Sequence, residues 1–71
     1  MAKILIIDDE TQLRRLLSRI IGLEGYEVIQ AENCTTGLRQ LERTHPEVVL
    51  CGVKLPDGNG VEMVTRIKQA E

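Results

Sequence analysis

Residues 4–10 read ILIIDDE, a short apolar run that gives way to three consecutive acidic residues. Four apolar residues in a row, mostly β-branched, are typical of a strand that is buried on both faces of a parallel sheet. A second run of this kind, VVLC at residues 48–51, precedes Gly52. We therefore predict two buried strands, with the acidic residues and Gly52 following their carboxyl ends.

The segment between these strands begins with a helical pattern. Its apolar residues recur with the three- and four-residue spacing of one helix face: Leu13, Leu16, Leu17, Ile20 and Ile21. This spacing predicts an amphipathic helix that starts near Thr11. Gly22 and Gly25 are expected to mark its end, because glycine is favoured where a helix stops.

A short strand and a second helix are predicted next. Tyr26, Val28 and Ile29 suggest the strand, and Asn33 is placed to cap the helix. The inward positions of this helix would be Cys34, Gly37, Leu38 and Leu41. Gly37 would allow the helix to approach the sheet closely, and the His45-Pro46 pair should end it, because the residue before proline is disfavoured in a helix.

The loop after the third strand allows two interpretations. Asp57-Gly58 and Asn59-Gly60 are strong hairpin signals, yet the residues after them do not alternate as a strand would. The helical spacing resumes at Val61, Val64 and Ile67. We favour a loop followed by a third helix.

The order strand, helix, strand, helix, strand, helix predicts an α/β fold with a parallel sheet and right-handed crossovers. A chain of 71 residues, 42% apolar and 28% charged, fits one small globular domain spanning residues 1–71. The predicted domain is therefore β1α1β2α2β3α3.

Composition argues against several classes of function. The net charge of −2, with a single aromatic residue, disfavours direct binding of nucleic acid. Cys34 and Cys51 are too far apart in sequence for a CxxC pair, so reduced thiols are expected rather than a zinc site or disulfide scaffold. The N-terminus is too short and too soon acidic for a signal peptide or a membrane span, so we expect a cytoplasmic protein.

Asp8 and Asp9 are the candidates for chemistry, because ligands of open parallel sheets gather at the carboxyl ends of strands. Two adjacent carboxylates repel each other unless a hard cation such as Mg²⁺ takes their oxygens as ligands. The structural alternative is that they open the first helix, where the helix dipole favours negative charge. The acidic pair alone leaves both interpretations open.

The segments ILIIDDE (residues 4–10) and PEVVLCGVKLPDGNG (residues 46–60) resemble the first and third strand-loop motifs of two-component response-regulator receiver domains. The resemblance covers essentially the whole chain. It implies a truncated flavodoxin-like (CheY-like) three-layer fold, with three parallel strands in the order 2-1-3 and three helices. It also implies a signalling module rather than an enzyme, most similar to receivers of transcription factors, including σ54-dependent activators.

By this resemblance Asp8, Asp9 and the main-chain carbonyl of Lys54 would hold Mg²⁺. The phosphoacceptor position is occupied by Gly52, which has no carboxylate to form an acyl phosphate. The site would then bind Mg²⁺ weakly or stay empty, and no catalytic residue is assigned. Asp57 is expected to bond local amides in its turn rather than replace the missing aspartate.

The family has five strand-helix units, and this chain stops after the third helix. The edge of the third strand, residues Val48, Val49, Leu50 and Cys51, would then be open, so we predict a homodimer or higher homo-oligomer through it. A sensor histidine kinase would be the partner of a longer parent protein. His45 is expected to be an ordinary loop residue.

Two alternatives remain open. The chain could be a fragment of a normal Mg²⁺-dependent, aspartyl-phosphate-accepting receiver that carries an Asp-to-Gly change at position 52. It could also be a structural half-domain with no activity.

Overall fold

The structure, a computed structural model, describes residues 1–63 and residue 65. Its elements are β1 (Lys3–Ile7), α1 (Thr11–Leu23), β2 (Glu27–Ala31), α2 (Cys34–Thr44), β3 (Val48–Cys51), β4 (Lys54–Leu55) and β5 (Gly58–Asn59). A third helix, α3, begins at Gly60 and is described over residues 60–63 and at residue 65. The predicted positions Val64 and Ile67 lie outside the described residues.

The three longer strands form one parallel sheet in the order β2-β1-β3, as predicted. Ile7, the last residue of β1, lies opposite Ala31 on one side and Cys51 on the other. Because the strands are parallel and in register, their carboxyl ends meet at one edge of the sheet. This edge is where the candidate site lies.

The main core lies on the face of the sheet that α2 covers. Leu5 and Ile7 are 0% and 1% exposed and pack with Cys34, Leu55 and Met63. Gly37 permits this packing, because a Cβ atom there would come within 2.6 Å of Ile7 Cδ1. The predicted role of Gly37 is therefore confirmed.

The first helix forms as predicted, but its apolar stripe is not the buried face. Ser18 is the buried residue of α1, whereas Leu13, Leu16 and Ile20 are 39%, 56% and 51% exposed. The helix is rotated so that Leu17 and Ile21 are half-buried and the other stripe residues form an uncovered flank. Gly22 and Gly25 flank the end of the helix as predicted, since α1 ends at Leu23 and Gly25 adopts the left-handed conformation with φ 97°.

The second helix follows its predicted start and end. Asn33 caps it by accepting a hydrogen bond from the amide of Thr36 at 2.8 Å. It ends at Thr44, and His45 adopts the left-handed conformation just before Pro46. Leu38, predicted to point inward, is 40% exposed, because α2 turns Cys34, Gly37 and Leu41 toward the sheet instead.

The third strand is less buried than predicted, and the loop before the predicted third helix contains a short hairpin. β3 has the predicted bounds, but Val48 and Leu50 are 44% and 41% exposed, because this edge strand is packed on one face only. The rejected hairpin exists in miniature, since β4 and β5 pair antiparallel with Lys54 opposite Asn59. The sequence did not predict this hairpin, because the chain passes from β5 directly into α3 and the residues after the hairpin therefore have helical spacing.

Candidate functional site

The carboxyl ends of β1 and β3 place Asp8 and Gly52 side by side. The Gly52 amide donates a hydrogen bond to the carbonyl of Ile7 at 2.8 Å, which extends the pairing of the two strands by one residue. A Cβ atom on Gly52 would lie 3.6 Å from Asp8 Oδ2, from the Ile7 carbonyl oxygen and from Leu55 Cδ2. Position 52 therefore lies beside the Asp8 carboxylate and could accommodate a Cβ atom without a clash.

The acidic pair divides into two different environments. Asp8 is half-buried, and its Oδ1 accepts a hydrogen bond from the Glu10 amide at 2.8 Å, whereas Asp9 is exposed. The N-cap of α1 is Glu10, and no side chain caps it. Asp8 thus shapes the turn into the helix without capping it, which supports part of the structural alternative and leaves Asp8 Oδ2 facing position 52.

Arg14 supports this edge and was missed in the sequence. Its Nη1 donates to the main-chain carbonyl of Asp8 at 2.7 Å, and its Nε donates to Gln30 Oε1 at 3.1 Å. The Arg14 guanidinium therefore joins the first turn of α1 to the ends of β1 and β2. The available signal was a basic residue one helical turn after Glu10, whose carbonyl accepts the Arg14 amide.

Asp8, Asp9 and the Lys54 carbonyl were predicted to hold Mg²⁺. Among residues 1–63 and 65, no group of three or more His, Cys, Asp or Glu side chains is placed to hold a metal ion. Asp8 Oδ1 is already engaged, Asp9 is exposed, and Lys54 is exposed in β4. Gly52, which lies beside Asp8 Oδ2, supplies no further carboxylate at this edge of the sheet.

The loop after β3 folds tightly against the end of that strand. The Gly60 amide donates to the Val53 carbonyl at 2.8 Å. A Cβ atom at position 60 would overlap the carbonyl oxygen of Gly52 and approach Cys51 Sγ to 3.0 Å. Only glycine at position 60 lets α3 begin this close to the edge of the sheet.

Asp57 fastens the same loop to α2. Its Oδ1 accepts the Cys34 amide at 2.7 Å, and its Oδ2 accepts the amide and the hydroxyl of Thr35 at 2.9 and 2.6 Å. The expectation of bonds to local amides was wrong, because the partners lie 22 and 23 residues away. The Thr35 hydroxyl and then its amide lower the pKa of Asp57 to about 2.

The surroundings of the two cysteines and of His45 indicate structural rather than chemical roles. Cys34 and Cys51 are free thiols, and burial raises the pKa of both, so they are poor nucleophiles near neutral pH. His45 is exposed and its amide donates to the Leu41 carbonyl at the end of α2. Over the part of the chain that the structure describes, no helix is both long and apolar enough to cross a membrane.

A parallel sheet in the order 2-1-3, with an acidic pair after its first strand and a tight loop after its third, defines a receiver-type α/β domain. Residues 4–71 match the family model of the response regulator receiver domain. The chain belongs to this family, whose members are signalling modules of two-component systems.

Two relatives support the assignment. The chain is 36% identical to the regulatory protein AtoC of Escherichia coli over 69 residues. The alignment covers 97% of this chain and 15% of that protein. It is 38% identical over 66 residues to the sporulation initiation phosphotransferase F of Bacillus subtilis, with 93% of this chain and 53% of that protein covered. The chain thus spans about half, or much less, of the length of these relatives.

Solved structures agree in fold. A CheY-like receiver domain protein from Methanospirillum hungatei superposes with a TM-score of 0.94 at 32% identity, covering 100% of this chain and 57% of that one. The response regulator TrrA of Thermotoga maritima, solved with Mg²⁺ and BeF, gives a TM-score of 0.93 at 31% identity, covering 100% of this chain and 62% of that one. The predicted fold class is therefore confirmed.

Proposed function

We propose that this chain is a receiver module that does not accept a phosphoryl group and acts through protein contacts. The main support for the proposal is that Gly52 lies next to the Asp8 carboxylate. Position 52 adjoins the Asp8 carboxylate at the sheet edge, where the family's phosphoacceptor would stand, and glycine offers no oxygen there. The module would act in the cytoplasm, without catalysing a reaction of its own.

Asp57 is a poor substitute for the missing aspartate. Both of its carboxylate oxygens accept hydrogen bonds from the start of α2. An attack on a phosphoryl donor would have to break these bonds, and the low pKa of Asp57 reflects how strongly they hold the carboxylate. Loss of the bonds would also release the loop from α2.

Mg²⁺ binding by Asp8, Asp9 and the Lys54 carbonyl would be weak. The acidic pair supplies at most two carboxylates, one of which already accepts the Glu10 amide. Without a carboxylate at position 52 the remaining ligands would be water, which leaves little to hold the cation in competition with bulk solvent. We therefore expect no function of this chain to depend on Mg²⁺.

The open edge of β3 supports self-association. β3 is the last strand in the order β2-β1-β3, and no strand among the described residues pairs with its outer side. An unpaired, partly apolar edge favours pairing with another chain, and a two-fold axis beside Val48–Cys51 would join two sheets into one. In a longer parent protein, a sensor histidine kinase would be a further partner.

Sedimentation equilibrium across a wide concentration range tests the self-association. We expect a folded homodimer, with helix content measured on the same samples. A cooperatively folded monomer at high concentration would overturn this part of the proposal.

The alternative is a fragment of a normal aspartyl-phosphate-accepting receiver in which Gly52 replaces aspartate. The space for a Cβ atom at position 52 favours this alternative, because the added atom would make only ordinary contacts with its neighbours. Labelling of the Gly52→Asp variant by acetyl phosphate, with no labelling of the unaltered chain, would be consistent both with the proposed contact module and with a fragment of a normal receiver. Labelling of the natural chain would overturn the proposal of a module that cannot be phosphorylated.

A further inference from the structure

A cavity of about 300 Å³ lies between the start of α2 and the start of α3, and we call it the α2–α3 cavity. Its floor contains Cys34 and Met63, which are 9% and 5% exposed, and Leu38 adds an apolar side chain that is 40% exposed. Gly58 also lines the cavity and has no side chain to fill the space beside Cys34. The cavity is therefore apolar on the side of the core and open on the side of the solvent.

Two carboxylates lie at the exposed margin of the α2–α3 cavity. Asp57 and Glu62 both line it, and both residues are exposed. Among the described residues that line the cavity, none is basic, so no cationic side chain of this lining neutralises the pair. An apolar floor with a negative margin is complementary to a side chain that has an apolar stem and a cationic head.

The Asp57 carboxylate can accept a further hydrogen bond while it holds the loop to α2. A carboxylate has about four acceptor positions on its two oxygens. Oδ2 accepts the amide and the hydroxyl of Thr35, whereas Oδ1 accepts the amide of Cys34 as its one bond within the described part of the chain. Because the pKa of Asp57 is about 2, the carboxylate is ionised at neutral pH. A cation at Oδ1 would therefore not have to displace the amides of α2.

The size of the α2–α3 cavity fits one side chain rather than a folded segment. A volume of about 300 Å³ is at the lower end of the range for small-ligand sites. Of the two common cationic side chains, arginine is the more weakly hydrated, so it loses less on entering a half-apolar site. Its planar guanidinium also presents several donors at once, which suits a margin with two carboxylates.

We propose that the α2–α3 cavity binds an arginine side chain of a partner protein. The aliphatic stem would pack against Leu38 and Met63, and the guanidinium would bond the carboxylates of Asp57 and Glu62. The inference rests on the proposed role as a contact module and names the chemistry of the partner. Because the margin is exposed, added salt should weaken the interaction.

The probe is the blocked tripeptide acetyl-Gly-Arg-Gly-amide, titrated into the isotope-labelled chain of 71 residues and followed by NMR. We expect saturable shifts of the amide resonances of Thr35, Gly58 and Glu62, which line the cavity. The same tripeptide with citrulline in place of arginine keeps the size and loses the charge. It should bind at least about tenfold more weakly, because its head makes no charge-assisted hydrogen bond.

Glu62→Gln tests the margin and leaves the Asp57 contacts to α2 intact. It should weaken binding of the arginine tripeptide about fivefold, because one of the two carboxylates loses its charge. Glu42→Gln is the matched control, because Glu42 is exposed on α2 and does not line the cavity. It should leave the affinity unchanged. Circular dichroism verifies that both variants are folded, and Leu38→Lys, which places a competing cation at the cavity, is a second variant that should abolish binding.

Three results would overturn the proposal: no saturable shift at these amides, equal binding of the citrulline tripeptide, or equal weakening by Glu62→Gln and Glu42→Gln. Tighter binding of free arginine than of the blocked tripeptide would assign the cavity to a small molecule and would overturn it as well. Phosphorylation and self-association are read separately, from a covalent label and from sedimentation. Failure of the arginine site is therefore distinguishable from failure of the proposed function.

Discussion

The carboxylate of Asp57 accepts a hydrogen bond from the Thr35 hydroxyl at 2.6 Å, and so ties the loop after β3 to the first turn of α2. The same Oδ2 atom accepts the Thr35 amide at 2.9 Å. Together with the bond from the Cys34 amide, these contacts satisfy orphan amide groups at the start of the helix. Asp57 therefore acts as a second, long-range cap of α2 beside Asn33.

The stability of the fold at acid pH should depend on the hydrogen bonds that the Asp57 carboxylate accepts at the start of α2. The folded-state pKa of about 2 lies below the ordinary value of 3.8, so the unfolded chain takes up the proton first as the pH falls. The stabilisation is complete above about pH 4 and is lost between about pH 4 and pH 2. Thermal melts of Asp57→Asn should show a lower midpoint at pH 7 and a shallower fall over that window than the natural chain, with Asp9→Asn as the exposed control.

Thr35→Val tests which partner matters most. The Thr35 hydroxyl is the largest cause of the lowered pKa, so its removal should raise the pKa of Asp57 toward 3.8 while the amide bonds remain. The pH dependence of the melting midpoint should then move to higher pH. A pH profile identical to that of the natural chain would show that the hydroxyl contributes nothing.

Gly60→Ala should destabilise the fold. Its Cβ atom would overlap the Gly52 carbonyl, which is backbone and cannot move aside as a side chain can. Overpacking of this kind costs about 1 to 3 kcal/mol. Urea unfolding measures the loss.

Gly22→Ala is the control for Gly60→Ala. Gly22 lies within α1 and has no heavy atom within 4 Å of the added Cβ. We expect stabilisation by about 0.5 to 1 kcal/mol, because alanine is the better helix former. Equal destabilisation by both variants would contradict the close contact at Gly60.

Gly52→Asp should create a cation site. The added carboxylate would face Asp8, so like-charge repulsion should lower the thermal midpoint without Mg²⁺. Mg²⁺ at tenfold excess over its Kd should then restore about 1.4 kcal/mol of stability. Gly52→Ala fills the same space without a charge and should show neither effect, and a Mg²⁺ response of Gly52→Ala equal to that of Gly52→Asp would contradict this account.

The sequence predicts the bounds of the strands better than it predicts which face of a helix is buried. The runs at residues 4–7 and 48–51 give β1 and β3 nearly to the residue, because an apolar run between polar ones has few other interpretations. The spacing in α1 predicts a helix but not which part of its stripe is buried. That depends on what packs against the helix, and Leu16 and Ile20 are 56% and 51% exposed.

The candidate site was predictable where it depends on strand ends and not where it depends on loops. Asp8 and Gly52 come together because parallel strands in register place their carboxyl ends at one edge. The partners of Asp57 could not be read from the sequence, since the hydrogen bonds join residues 22 and 23 positions apart through a miniature hairpin. Arg14 was missed because its partners, the Asp8 carbonyl and Gln30, belong to two other elements.

Intact mass spectrometry of the unaltered chain after incubation with acetyl phosphate and Mg²⁺ shows directly whether it accepts a phosphoryl group. Gly52→Asp is treated in parallel as the variant that restores the missing carboxylate. We expect no added phosphoryl group on the unaltered chain, because the position beside Asp8 holds no side-chain oxygen. A hydroxylamine-sensitive phosphoryl adduct on the natural chain, at Asp8, Asp9 or Asp57, would contradict it.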